Sequence, residues 1–110
     1  MFSSTTPQIT ADEVYSAVQD KKDVLFLDVR TPGEYSKGHI ENSIHLPVEE
    51  VATQIESVLP DKAKTVYVYC LSGSRSTVAV NVMTQLGYTH AYSMTNGLLM
   101  WRSKHYPLTV

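Results

Sequence analysis

Thr65-Val66-Tyr67-Val68-Tyr69-Cys70-Leu71-Ser72-Gly73-Ser74-Arg75-Ser76 is the stretch that decides how this chain is read. Its first five residues are β-branched or aromatic, side chains that fit a pleated and partly buried surface, and they predict a strand. Cys70 follows at the strand's C-terminal end. Leu71 to Ser74 include a glycine and two serines, small residues that let the backbone curl tightly. Gly73 to Leu86 then reads as a helix, with Val78, Val82 and Leu86 on one face and Ala79 and Met83 beside them. Gly87 closes it as a C-terminal cap.

The flanking sequence supplies the neighbours. Upstream, Val24-Leu25-Phe26-Leu27-Asp28-Val29 is a near-continuous apolar run, the pattern of a strand buried on both faces in a parallel sheet. Thr31 caps a short helical turn that has Pro32 at its first position. Ser43 to Leu46 is a short strand ended by Pro47, and Val48 to Leu59 has helical periodicity through Val51, Ile55, Val58 and Leu59 before Pro60-Asp61 stops it. Near the start, Ile9 enters a helix capped by Thr10, with Glu13 completing a capping box and Val14, Tyr15 and Val18 as its apolar face. Downstream, His90 to Ser93 is a candidate strand. Asn96-Gly97 turns the chain into a last helix ended near Pro107, in which Leu98 and Trp101 read as core and Leu99 lies between them. Strands alternating with helices predict a single α/β domain over residues 1–110 with a mostly parallel sheet. Ligands bind such sheets at the C-terminal ends of strands, which is where Cys70 stands.

Composition excludes several classes. A formal net charge of −2, with no basic block, argues against a nucleic-acid reader. The longest apolar runs fall far short of the roughly 20 residues of a membrane helix. Met1 to Thr10 has neither a basic nor an apolar leader segment, so no signal peptide is expected. A single cysteine makes no internal disulfide and fits a reducing cytosol, so the expected location is cytoplasmic.

Three features of the segment around Cys70 favour a reactive thiol over an inert core cysteine. The small-residue loop can converge successive N–H groups on one point as an anion nest. The loop runs into a helix N-terminus, which carries partial positive charge. Arg75 adds a permanent cation. All three stabilise a thiolate, the nucleophilic form of cysteine.

The chain resembles a single-domain rhodanese, a sulfurtransferase. The resemblance rests on Leu27-Asp28-Val29-Arg30-Thr31-Pro32-Gly33-Glu34-Tyr35 with Gly38-His39-Ile40, on the loop Cys70 to Ser76, and on Gly87-Tyr88 and Gly97 with Trp101, in order along nearly the whole chain. It implies a three-layer α/β fold with a central sheet of about five strands flanked by helices. It also implies a cycle in which Cys70 takes the outer sulfur of a donor such as thiosulfate and passes it to cyanide, a thiol or another protein. Loop amides from Leu71, Ser72, Gly73, Ser74, Arg75 and Ser76 would hold the persulfide, and Arg75 the anionic donor. No metal or organic cofactor is implied, and no nucleic-acid or membrane partner. His39, His45, His90 and His105 have no metal-ligand spacing.

Two alternatives stand beside this. Phosphatases and arsenate reductases of the same fold type use a Cys-x5-Arg loop. Here four residues separate Cys70 from Arg75, and Ser76 holds the position that arginine takes in the longer loop. The other is a sulfur-delivery or binding module with little small-molecule turnover. Asp28 reads first as an acceptor for turn N–H groups and second as a carboxylate beside the active site. Arg30 pairs with Glu34 or Asp28, or makes the pocket positive. His39 ties its loop by hydrogen bonds rather than serving as a base. Asn96, Glu41-Asn42 and His45 depart from the usual family residues. The loop is uncharged apart from Arg75, so weak affinity for thiosulfate is expected.

Overall fold

The computed structural model describes residues 5–110, so the first four residues of the segment read for a leader lie outside it. The chain alternates between strands and helices from end to end. In order these are β1 (Gln8–Ile9), α1 (Ala11–Gln19), β2 (Leu25–Asp28), α2 (Pro32–Ser36), β3 (Ile44–His45), α3 (Val48–Val58), β4 (Val66–Tyr69), α4 (Ser74–Gln85), β5 (Ala91–Met94) and α5 (Gly97–Ser103). The five strands form one sheet in the order β1-β5-β4-β2-β3, and every pairing is parallel.

Both faces of the sheet are covered, which explains the continuous apolar runs. Side chains alternate along a strand. Val66 and Val68 of β4 therefore enter one core with Leu27, Val51, Ile55 and Met83, under α3 and α4. Tyr69 enters the other with Phe26, Met94, Leu98 and Trp101, under α1 and α5. The result is three layers. Thr10–Glu13 and Thr31–Glu34 both form complete capping boxes, so α1 and α2 begin where their cap residues dictate. No helix among the described residues is long and apolar enough to cross a membrane.

Two expectations are corrected. Val78 does not lead the buried face of α4 but is 54% exposed, while Ser76, Ala79, Val80 and Met83 are buried and Val82 and Leu86 pack at the edge. Apolar residues at 78, 79, 80, 82 and 83 surround most of this helix, so periodicity alone leaves its rotation open. Packing against β4, β5 and α3 settles it. The last strand starts at Ala91 rather than His90, whose carbonyl nonetheless accepts from Val66 N–H at 2.9 Å.

The topology gathers the candidate site residues at one end of the sheet. β4 is central, with β2 and β5 on its flanks, and Asp28 is in register with Tyr69 and Val68 with Ser93. The ends of three adjacent strands thus surround the position where Cys70 leaves the sheet.

Candidate active site

Cys70 is fully buried and sits directly after β4. Its Sγ accepts from Gly73 N–H at 3.1 Å and from Ser76 N–H at 3.4 Å, and lies 3.6 Å from Ser76 Oγ. Gly73 is the N-cap of α4 and carries no side-chain cap; its φ of 107° is in the left-handed region that favours glycine. Ser76 is the third helical residue, whose N–H is normally satisfied by a capping side chain. The cysteine sulfur takes that place, so the partial charge of the helix N-terminus falls on it. Burial alone raises the thiol's pKa. Hydrogen bonds from the Ser76 hydroxyl and from the Ser76, Gly73 and Ser72 N–H groups outweigh it, leaving Cys70 below the ordinary thiol value.

α5 fixes the other side of the loop. Leu98 N–H donates to Cys70 C=O and Leu99 N–H to Leu71 C=O, each at 3.0 Å. In a trans peptide the N–H points opposite to the C=O. Anchoring these two carbonyls on α5 therefore turns the Leu71 and Ser72 N–H groups away from it, towards the cradle side. Leu71 and Gly73 are half-buried, and Ser72 and Ser74 are exposed with their hydroxyls 3.5 Å apart.

Arg75 does not point at the sulfur with its donors free. Its Nη1 and Nη2 donate to the two carboxylate oxygens of Glu34 at 2.7 and 3.1 Å, a bidentate pair that bridges α4 and α2. This bond, together with the Thr31 cap, holds the Glu34 carboxyl down at about 2 against burial that works the other way. A carboxyl whose folded-state pKa lies below its unfolded value stabilises the fold fully above the unfolded value. That contribution is lost as pH falls through the folded value. The stability gap between wild type and Glu34→Gln is therefore expected to be constant above about 4.5 and to close as pH falls towards about 2. Urea unfolding of both proteins across that window checks it; a gap that persists in acid would show that the stabilisation does not depend on the Glu34 charge.

Asp28 and Arg30 form a separate, buried unit. Asp28 Oδ1 accepts from Arg30 N–H at 2.9 Å, and Asp28 Oδ2 pairs with Arg30 Nη2 at 2.7 Å, with side chains 0% and 2% exposed. The same Nη2 donates to Gly38 C=O at 2.7 Å. Of the partners expected for Arg30, Asp28 is therefore the one it takes, and Glu34 goes to Arg75 instead. His39 Nδ1 lies 2.9 Å from Tyr35 C=O, and its ring stacks on Tyr35 at 3.7 Å; His45 stacks on Tyr35 at 4.6 Å and meets Arg30 C=O at 2.8 Å. Both histidines thus hold the chain between α2 and β3.

The model of the rhodanese-like domain family matches residues 10–104. The chain belongs to the rhodanese-like domain family. It is 40% identical to the thiosulfate sulfurtransferase PspE of Escherichia coli over 65 residues, 59% of this chain and 62% of that one. It is 32% identical to the thiosulfate sulfurtransferase GlpE of Coxiella burnetii over 98 residues, covering 89% of both. A rhodanese-related protein from Thermoplasma volcanium superposes with a TM-score of 0.82 at 31% identity, covering 94% of this chain and 97% of the other.

Within this rhodanese-like domain, Glu34, Gly97 and Ser93 join the surroundings of Cys70 through tertiary contacts. Glu34 was expected among the partners of Arg30 but not as the partner of Arg75, because that pair spans 41 residues of sequence. Gly97 was legible as a turn, but its contact with the loop is tertiary. Ser93 lies in β5 with its hydroxyl 2.7 Å from Ser76 Oγ; a buried polar residue between Tyr92 and Met94 in an apolar strand was the available signal. A cleft of about 490 Å³ lies by Lys21, Lys22 and Leu25 at the N-terminal end of β2, the opposite end of the parallel sheet from Cys70.

Proposed function

We propose that this rhodanese-like domain is a sulfurtransferase that carries a sulfane sulfur as a persulfide on Cys70. The observation that supports this most is the cradle of N–H groups from Gly73 and Ser76 about one sulfur atom. Relatives named as thiosulfate sulfurtransferases support the same reading. In the first step the Cys70 thiolate attacks the outer sulfur of the donor. With thiosulfate, the donor's S–S bond breaks and sulfite leaves with the electron pair. The terminal sulfur of the persulfide carries the negative charge, and the loop N–H groups between Leu71 and Arg75 are its proposed donors. In the second step a thiolate or cyanide attacks that terminal sulfur, and the breaking S–S bond returns its electron pair to Cys70.

The 110 residues hold one cysteine, so the acceptor is an external small molecule or another protein. Cys70 has no exposed surface, so the outer loop residues Leu71 to Ser74 must give way enough to admit one sulfur atom. Arg75 is neutralised by Glu34 and the other loop side chains carry no charge, which supports weak binding of dianionic thiosulfate. The same pairing weighs against phosphatase chemistry, in which the loop arginine must grip an oxyanion. A thiol that must stay reduced between turnovers suits the cytoplasm.

Intact mass spectrometry tests the proposal. After incubation with thiosulfate the protein is expected to gain one sulfur atom, and to lose it on addition of cyanide or a small thiol. Cys70→Ser is expected to gain none. An unmodified wild type, or a Cys70→Ser protein that retains full transferase activity, would overturn it.

A further inference from the structure

We infer that Ser93 is a positioning residue that sets the direction of the Ser76 hydroxyl and thereby stabilises the Cys70 thiolate from a neighbouring strand. Ser93 Oγ and Ser76 Oγ are 2.7 Å apart, and both residues are fully buried. Each hydroxyl has one hydrogen to give. Ser76 Oγ has two other partners, the Cys70 sulfur at 3.6 Å and Gly73 C=O at 3.2 Å. Ser93 Oγ has none besides Ser76 among the described residues. If Ser76 donated to Ser93, the Ser93 hydrogen would be buried without an acceptor, which is costly. The satisfied arrangement has Ser93 donating to Ser76. The Ser76 hydrogen is then free to turn either to Gly73 C=O or to the sulfur.

That choice follows the charge on Cys70. When Cys70 is a thiol, its S–H donates to Ser76 Oγ, and Ser76 donates to Gly73 C=O. When Cys70 is a thiolate, Ser76 turns its hydrogen to the sulfur, while Ser93 still donates to Ser76 Oγ. A hydroxyl that accepts a hydrogen bond becomes a stronger donor. Ser93 therefore favours the charged form without touching it. The charged groups nearest Cys70 come from other elements: Arg75 on α4, paired with Glu34 on α2, and the Asp28–Arg30 pair after β2. None of these contacts Ser93 or the Ser76 hydroxyl.

The inference concerns the thiolate and stands whether or not the sulfurtransferase reading does. The thiolate's ultraviolet absorbance is titrated against pH in wild type, Ser93→Ala, Ser76→Ala and the double variant, with Cys70→Ser as the blank. The protein's single cysteine makes the signal unambiguous. Ser93→Ala is expected to raise the midpoint by about half a unit or more, a small fraction of the shifts that hydrogen bonding to a charged form can produce. In the Ser76→Ala background the same change is expected to have no further effect. Ser93→Thr keeps the hydroxyl and is expected to keep the wild-type midpoint, and it serves alone should Ser93→Ala not fold. An unmoved midpoint in Ser93→Ala, an equal shift with and without Ser76, or a raised midpoint in Ser93→Thr would each overturn the inference.

Discussion

Asp28→Ala is expected to destabilise the domain by about 3–5 kcal/mol, the usual cost of removing one member of a buried ion pair. Arg30 would then be a buried cation with no carboxylate, since its side chain is 2% exposed and Asp28 is its ion-pair partner. Burial works against the Arg30 charge, and the hydrogen bond and charge of Asp28 outweigh it. The Arg30 N–H would also lose its acceptor at the end of β2. Domain stabilities are about 5–15 kcal/mol, so the loss is a large share of the total. A fall in Tm of about 10–30 °C follows from the scaling for domains of this size. Calorimetry checks it, and the double variant Asp28→Ala/Arg30→Met supplies the control. Removing the orphaned charge is expected to recover part of the loss, because a buried pair replaced by apolar side chains is often near neutral. A double variant no more stable than the single would place the cost in the lost N–H acceptor or in packing.

Gly97→Ala is expected to impair both stability and thiol reactivity. A Cβ at Gly97 would fall 2.5 Å from Leu71 O and against Cys70 O, both backbone atoms that no side-chain rotation can clear. Its φ of +51° adds the left-handed penalty of about 1–2 kcal/mol for a residue with a Cβ. Relief requires the loop to lift away from α5, which breaks the bonds from Leu98 N–H to Cys70 C=O and from Leu99 N–H to Leu71 C=O. The peptides that aim the Leu71 and Ser72 N–H groups would then rotate. The expected result is a loss of about 2–4 kcal/mol, within the range of single substitutions at strained sites, and a raised Cys70 titration midpoint in the fraction that folds. Thermal unfolding and thiolate absorbance measure the two effects separately. Wild-type absorbance in a destabilised protein would mean that the cradle forms without α5.

These two sites differ in how legible they are. Asp28 and Arg30 are two residues apart, and a carboxylate ending a buried strand beside an arginine restricts the choices to a few. Their pairing was among those foreseen, and only the competition from Glu34 remained to be resolved. Gly97 meets Cys70 across 27 residues of chain, and nothing local indicates that its missing Cβ is a contact. The same holds for α4. Its apolar residues cover so much of the circumference that the buried face had to be fixed by what packs against it, and Val78 was left outside.

The sequence by itself determined the alternation of strands and helices, the parallel character of the sheet, the Thr10–Glu13 capping box, the Thr31 cap and the place of Cys70 between a strand and a helix N-terminus. Those features depend on propensity, periodicity and neighbouring residues, which act over a few positions. The tertiary structure alone decided which charged groups Arg30 and Arg75 meet, which face of α4 is buried, and that Ser93 meets Ser76 and Gly97 meets the loop from a separate strand and helix. These depend on contacts between residues far apart in the chain, where sheet order and helix rotation fix the geometry. Cys70 was visible from its local pattern, but the groups that tune it are assembled by the fold.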